Sequence, residues 1–374
     1  MKYINKELLK NNIENIALYD LKENNLFGSS YIVYQDGEII YKKHYGTTSS
    51  ETEASPNDKT LYRLASMTKP VTAVAILILT ERGFITLEDR VDKYLPQFKD
   101  IHIADSDGND IGATSTPVTI LHLLTHTSGI GSIRVLPMTD TDRATIDSLV
   151  NFYAKAGLDF EPFSREAYSA VAAFDVAAAI VEKVTGRDYG EFLKTEIFDK
   201  CEMADTVFSP NDEQWSRMMT MHQRTPDGKS LPLEMNDGCV FGNFPQNHKL
   251  AGAGLASTLN DYSLFAQMLL DGGMAKNGRV VSEEFIKLMG TPHVPESIMP
   301  GDQRWGLGVR VITKDSYPSL PVGTFGWSGA YGSHFWVDPV NKIYAVFLKN
   351  SQFDGGAGNK SACRFEKAVY DSIV

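Results

Sequence analysis

The sequence predicts an α/β fold: a mainly antiparallel sheet assembled from both chain ends, flanked by helices, with an all-helical lobe inserted from the middle. Three observations predict it. Short runs rich in β-branched and aromatic residues lie near the start, at Ser30 to Tyr34 and Ile39 to Tyr41, and recur after residue 300, as at Ile343 to Leu348. From about 86 to 280 the signals are mostly helical. A closing helix is expected over 360–373. The boundaries that follow are 1–85 with 282–374 for the sheet domain, and 86–281 for the insertion.

In chain order, residues 3–25 carry Leu and Ile among Lys, Glu and Asn at roughly helical spacing, an amphipathic helix. The pair Asp36-Gly37 between two strand-like runs reads as a hairpin turn, and 46–60 reads as a loop. Proline is tolerated only in the first turn of a helix, so Pro70 places the start of the helix carrying Val71 to Arg82 close to Ser66. Gly83 ends it. Helices are expected at 118–126, 143–157, 172–185, 188–196 and 258–270, with connectors at 104–117, 224–247 and 252–254. Trp305 to Val311, Gly323 to Trp327, Ser333 to Val337 and Ile343 to Leu348 read as strands.

Composition narrows the function. A net charge of −11 argues against nucleic acid or an anionic membrane surface as partner. Cys201, Cys239 and Cys363 are odd in number and far apart, so no disulfide framework is expected. No apolar run is long enough to span a bilayer, and the first residues lack a signal-peptide core. A cytoplasmic location is therefore expected for the chain as it stands, and a periplasmic or secreted one if a leader has been removed.

The candidate chemistry centres on Ser66 and Lys69, one helical turn apart at a helix N-terminus that favours developing negative charge. A serine needs an adjacent base, and a lysine serves only when desolvation or a nearby cation lowers its pKa. The apolar run Val71 to Leu79 promises that burial. The plain alternative is a serine cap with a solvated lysine. His122 and His126 lie four apart but lack the glutamate a metalloprotease needs, since Leu123 follows, and His126 to Gly129 reads as a helix end. Gly252-Ala253-Gly254 lacks nucleotide-binding spacing.

The stretch Leu61 to Lys69, with Leu79 to Gly83 and Leu87 to Val91, resembles the serine β-lactamase and penicillin-binding-protein superfamily. More narrowly it resembles class C β-lactamases, D-Ala-D-Ala carboxypeptidases and family VIII carboxylesterases. Ile120 to Ile130, Val181 to Gly186, Ala251 to Ser257 and Phe325 to Pro339 follow in the family's order, so the resemblance runs from about residue 27 to the end. It implies a β-lactamase/transpeptidase-like fold, Ser66 as nucleophile, and Tyr168 beside Lys69 as proton carrier. The Trp327-Ser328-Gly329-Ala330 stretch would line the cleft, and the N–H groups of Ser66 and Ala330 would hold the oxyanion. No metal or organic cofactor is implied. Two positions depart from the lactamase pattern. Ala170 stands where an asparagine binds substrate amide, and Trp327 stands where a cation meets substrate carboxylate. Both departures, and Tyr168-Ser169 followed by Asp175-Val176, resemble the esterases. The expected activity is hydrolysis of small carboxylic esters through an acyl-enzyme. β-Lactamase, D-Ala-D-Ala carboxypeptidase or D-amino-acid amidase activity on an amide or β-lactam substrate is the alternative. A non-catalytic binder of peptidoglycan or a protein is the third reading. The oligomeric state is left open.

Overall fold

The structure, a computed structural model, describes residues 2–23, 26–132, 144–224, 230–233, 248–352 and 354–374. The chain opens with helix α1 (Lys6–Glu23) and a hairpin of strands β1 (Gly28–Gln35) and β2 (Glu38–Gly46). Its turn places Asp36 at φ 44° and Gly37 at φ 101°, the left-handed pair whose twist matches that of the strands. Helix α2 (Thr68–Glu81) follows, then α3 (Ile146–Ala156), α4 (Ala172–Thr185) and α5 (Leu259–Leu270). The remaining strands are β3 (Gln303–Trp305), β4 (Arg310–Ile312), β5 (Phe325–Ser328), β6 (His334–Asp338) and β7 (Ile343–Leu348), and α6 (Lys360–Tyr370) closes the chain.

The seven strands form one antiparallel sheet in the order β3-β4-β5-β6-β7-β1-β2. Its centre joins the two ends of the sequence, with Tyr31 opposite Phe347 and Ile32 opposite Val346. Side chains alternate across the pleat. Tyr31, Trp336 and Phe347 bury with α1 and α6 on one face, whereas Ile32, Phe335 and Val346 bury with α5 and α2 on the other. A bridge from Ile4 to Ile373, with Asn5 N–H donating to the Ser372 carbonyl at 2.8 Å, ties α1 to the end of α6.

Three expectations need correction. The strand expected over Trp305 to Val311 is a hairpin, β3 turning into β4. Gly308 lies there at φ 69°, and a Cβ on it would come within 2.8 Å of the Ala73 Cβ. Only a glycine lets this turn press against α2. Secondly, the middle of the chain is not purely helical: it holds antiparallel pairs at His102–Ala104 with Asp110–Ala113 and His222–Arg224 with Ser230–Pro232. The first falls in a stretch read as a connector because Asp and Gly outnumber the strand formers. The rest of the 224–247 connector, Cys239 and residue 143 lie outside the described residues. Thirdly, the segment 188–196 divides into a short helix, Tyr189–Leu193, and a wider π turn, Lys194–Phe198.

Candidate active site

Helix α2 is buried from Thr68 to Leu79, while Ser66 just before it is only partly covered. The plain cap reading of Ser66 fails here, because no side chain caps α2 or the 3-10 turn Ala65–Met67 ahead of it. Pro70 does sit in the first turn. Gly83, at φ 72°, ends the helix with its N–H on the Thr80 carbonyl, and Phe84 N–H reaches back to the Leu79 carbonyl. Immediately before Ser66, Ala65 holds φ 46°, a left-handed conformation that costs a Cβ-bearing residue on the order of 1 kcal/mol. Neighbours enforce it: Leu64 N–H donates to the Leu255 carbonyl at 2.9 Å, and the Ser333 hydroxyl donates to the Leu64 carbonyl at 3.1 Å. The Tyr262 hydroxyl fixes the Met67 carbonyl at 2.8 Å.

Lys69 is fully buried. Its Nζ lies 3.4 Å from Ser66 Oγ, and donates to the Ala170 carbonyl at 2.5 Å and the Gly252 carbonyl at 2.9 Å. Gly252 explains the Ala251 to Leu255 block, since a Cβ there would lie 3.2 Å from Nζ and 3.0 Å from the Ala170 carbonyl. Burial pushes the lysine pKa down, and the nearby Tyr168 and Asp175 pull it partly back. Asp175, itself buried, is raised to about 7 by desolvation, against the hydrogen bonds it accepts from Tyr153 and Ala251.

Tyr168 stands beside this pair, its ring centre 4.9 Å from Lys69 Nζ. Trp327 Nε1 donates to its hydroxyl at 3.3 Å. Trp305 stacks on it at 5.9 Å, and the Trp305 indole N–H is taken by Glu166 at 2.7 Å. His126, read from sequence as a helix end, does more: its carbonyl accepts the Ala167 N–H and its Nδ1 accepts the Ser169 N–H, both at 3.0 Å. The residues on either side of Tyr168, Ala167 and Ser169, are thus clamped by one residue. Accepting at Nδ1 puts the ring proton on Nε2. Burial, then the cations Lys69 and Arg310, push the His126 pKa well down, so the ring stays neutral. His122 is spent elsewhere, with Nδ1 accepting the Thr119 N–H at 3.2 Å, and no metal-binding cluster exists among the described residues.

The Trp327 to Ala330 stretch is split by the pleat. Trp327 faces Tyr168. Gly329 packs so tightly that a Cβ would lie 2.3 Å from the Leu64 carbonyl, tying this strand end to the backbone before Ser66. Ala330 is exposed beyond the strand. Ser328 is not brought to this group. Its hydroxyl bonds His334 Nδ1 at 2.8 Å on the opposite face, because successive strand residues point opposite ways.

The Beta-lactamase family model matches residues 13–362. Esterase EstB of Burkholderia gladioli is 29% identical over 376 residues, spanning 91% of both chains. Among solved structures, "EstCE1, a hydrolase with promiscuous acyltransferase activity" superposes with a TM-score of 0.82 at 23% identity, covering 98% of this chain and 99% of its own. A family VIII carboxylesterase superposes with a TM-score of 0.77 at 21% identity, covering 97% of both.

Proposed function

The chain belongs to the Beta-lactamase family, and from that premise we propose that it is a serine hydrolase acting on small carboxylic esters through an acyl-enzyme. The observation that carries this reading is the setting of Lys69. Two of its N–H bonds are held by the Ala170 and Gly252 carbonyls, so in the neutral amine the lone pair is left toward Ser66. A buried amine aimed this way can take the serine proton as Oγ attacks the ester carbonyl. The N–H groups of Ser66 and Ala330 stabilise the oxyanion, and the Tyr168 hydroxyl hands a proton to the departing alcohol while taking the former serine proton from Lys69 beside it. Water then frees the acid and restores Ser66.

Ester preference is supported by what is missing. Trp327 presents no cation at its position, and Ala170 has no side-chain amide to pair with a substrate amide. Esterase EstB has an ester-cleaving name, which agrees with this lean. Intact-mass measurement across a short-chain ester, a penicillin, a cephalosporin and a D-Ala-D-Ala peptide tests it. The expected result is acylation and turnover with the ester, absent in Ser66→Ala. Efficient turnover of the cephalosporin or the peptide with none of the ester would replace it by the lactamase or peptidase reading. A folded chain that no probe acylates would leave only binding.

The His126 clamp gives a second expectation. In His126→Ala the buried Ser169 N–H loses its acceptor, at about 1–3 kcal/mol, and Tyr168 loses its support. We expect kcat to fall about ten- to a hundred-fold with a smaller change in KM. His126→Asn offers an acceptor and tolerates the φ of 56° found there, so it is expected to recover most of the loss. Steady-state kinetics of the two variants would show it.

A further inference from the structure

Behind Trp327, on the sheet face covered by α6, lies a cavity of 210 Å³ lined by Arg310, Ser328, His334, Glu366 and Cys363. A wider depression of 470 Å³, bordered by Glu166 and Asp302, meets it at Gln303, Arg310 and Tyr317. Arg310 therefore stands where the two join.

The polar groups around it are mostly satisfied. Glu366 accepts His334 Nε2 at 3.0 Å, the Tyr317 hydroxyl at 3.3 Å and the Ser319 hydroxyl at 2.5 Å. Glu166 takes the Trp305 N–H, and Asp302 takes the Ser316 hydroxyl at 2.6 Å. Arg310 is the exception. Among the described residues its guanidinium forms no ion pair, although Glu166 is near enough to attract it; its Nε is buried with no partner, and its one hydrogen bond is a long 3.5 Å to Gln303. It rests instead on two indoles, 4.9 Å from the Trp305 ring centre and 5.3 Å from that of Trp327. Its partner across the sheet is Gly326, where a Cβ would strike the Phe335 carbonyl at 2.1 Å. Glycine thus leaves the strand bare beside the guanidinium. Arg310 lines both hollows, and a half-buried cation without an ion pair at such a junction is set up to receive an anion.

We propose that Arg310 binds a carboxylate carried by the ester substrate, making half-esters of dicarboxylic acids and similar carboxylated esters the preferred class. This deepens the hydrolase reading and rests on it. The Trp327 indole touches the guanidinium with its ring and the Tyr168 hydroxyl with its N–H, so one side chain links the carboxylate site to the proton carrier. A monoanion suits the site better than a phosphate dianion, because Glu366 lines the cavity and Glu166 and Asp302 the depression that meets it, and these carboxylates would repel the second charge.

Binding to Ser66→Ala, which cannot turn the ester over, isolates this inference from catalysis. Monomethyl glutarate is compared with neutral dimethyl glutarate by calorimetry, with inorganic phosphate as a third ligand. The half-ester is expected to bind at least about ten-fold tighter than the diester, with the advantage lost in Ser66→Ala/Arg310→Gln and partly kept with Arg310→Lys. Equal affinity for the two esters overturns the proposal without any second variant. So does a preference that survives in folded Ser66→Ala/Arg310→Gln, or phosphate binding tighter than the half-ester. Failure of the hydrolase reading shows separately, as absence of acylation in the unsubstituted chain.

Discussion

Replacing Lys69 with methionine is expected to lower kcat/KM by about a thousand-fold or more, since it removes the proposed base, one turn from Ser66. The fold should survive. Methionine matches the lysine stem, and the substitution abolishes the desolvation of a buried amine while leaving the Ala170 and Gly252 carbonyls without a donor, a cost of about 1–3 kcal/mol each. Thermal unfolding beside the ester assay separates the two effects. The same geometry makes a pH prediction. Protonated Lys69 cannot accept the serine proton, so the acid limb of kcat/KM follows its pKa. Asp175 pulls that pKa up, and Asp175→Asn is therefore expected to move the limb to lower pH. The stability sign is independent of this. Asp175 titrates near 7 in the fold, so the stabilisation it gives when protonated is lost as pH rises through about 7. Asparagine does not ionise and keeps an acceptor for the Ala251 N–H, so above pH 7 the variant should unfold at a higher temperature than the parent. An unmoved acid limb would remove Lys69 as the base.

Tyr168→Phe is expected to cost about a hundred- to a thousand-fold in kcat, with KM nearly unchanged. Phenylalanine keeps the ring contacts with His126, Trp305 and Trp327, so what disappears is the hydroxyl alone. The Trp327 N–H is left without its acceptor, a smaller penalty shared by free and substrate-bound states. A variant retaining a tenth or more of the parent kcat would assign the leaving-group proton to another group.

How far the sequence could foretell this depends on how local each feature is. Ser66 and Lys69 sit within one turn, and Pro70 and Gly83 bracket the helix by backbone rules that no distant partner changes. The Asp36-Gly37 turn was equally readable. The sheet's two-ended origin followed from where β-branched runs fall. What escaped depends on distant pieces of chain. The β3–β4 hairpin forms because Gly308 must approach α2, and nothing within residues 305–311 says so. His126 looked like a helix end because its two partners, Ala167 and Ser169, lie some forty residues further on. Arg310 is one arginine on a three-residue strand, and only the tertiary fold reveals that its Nε lacks a partner. Ser328 carried a misleading cue, since motif position placed it in the cleft and the pleat turned its hydroxyl away.

The pairing of β1 with β7 has a consequence for timing. Residues 28–35 emerge from the ribosome early and wait for residues 343–348 before their central hydrogen-bonded edge is covered. Until then β1 has only β2 beside it, a lone hairpin that is marginal in water. Gly329 and Ser333, which lock the backbone ahead of Ser66, also arrive late. The serine therefore cannot reach its working geometry while the chain is still being made. Such long-range closure is expected to slow folding, and until it happens the half-made chain exposes a bare strand edge.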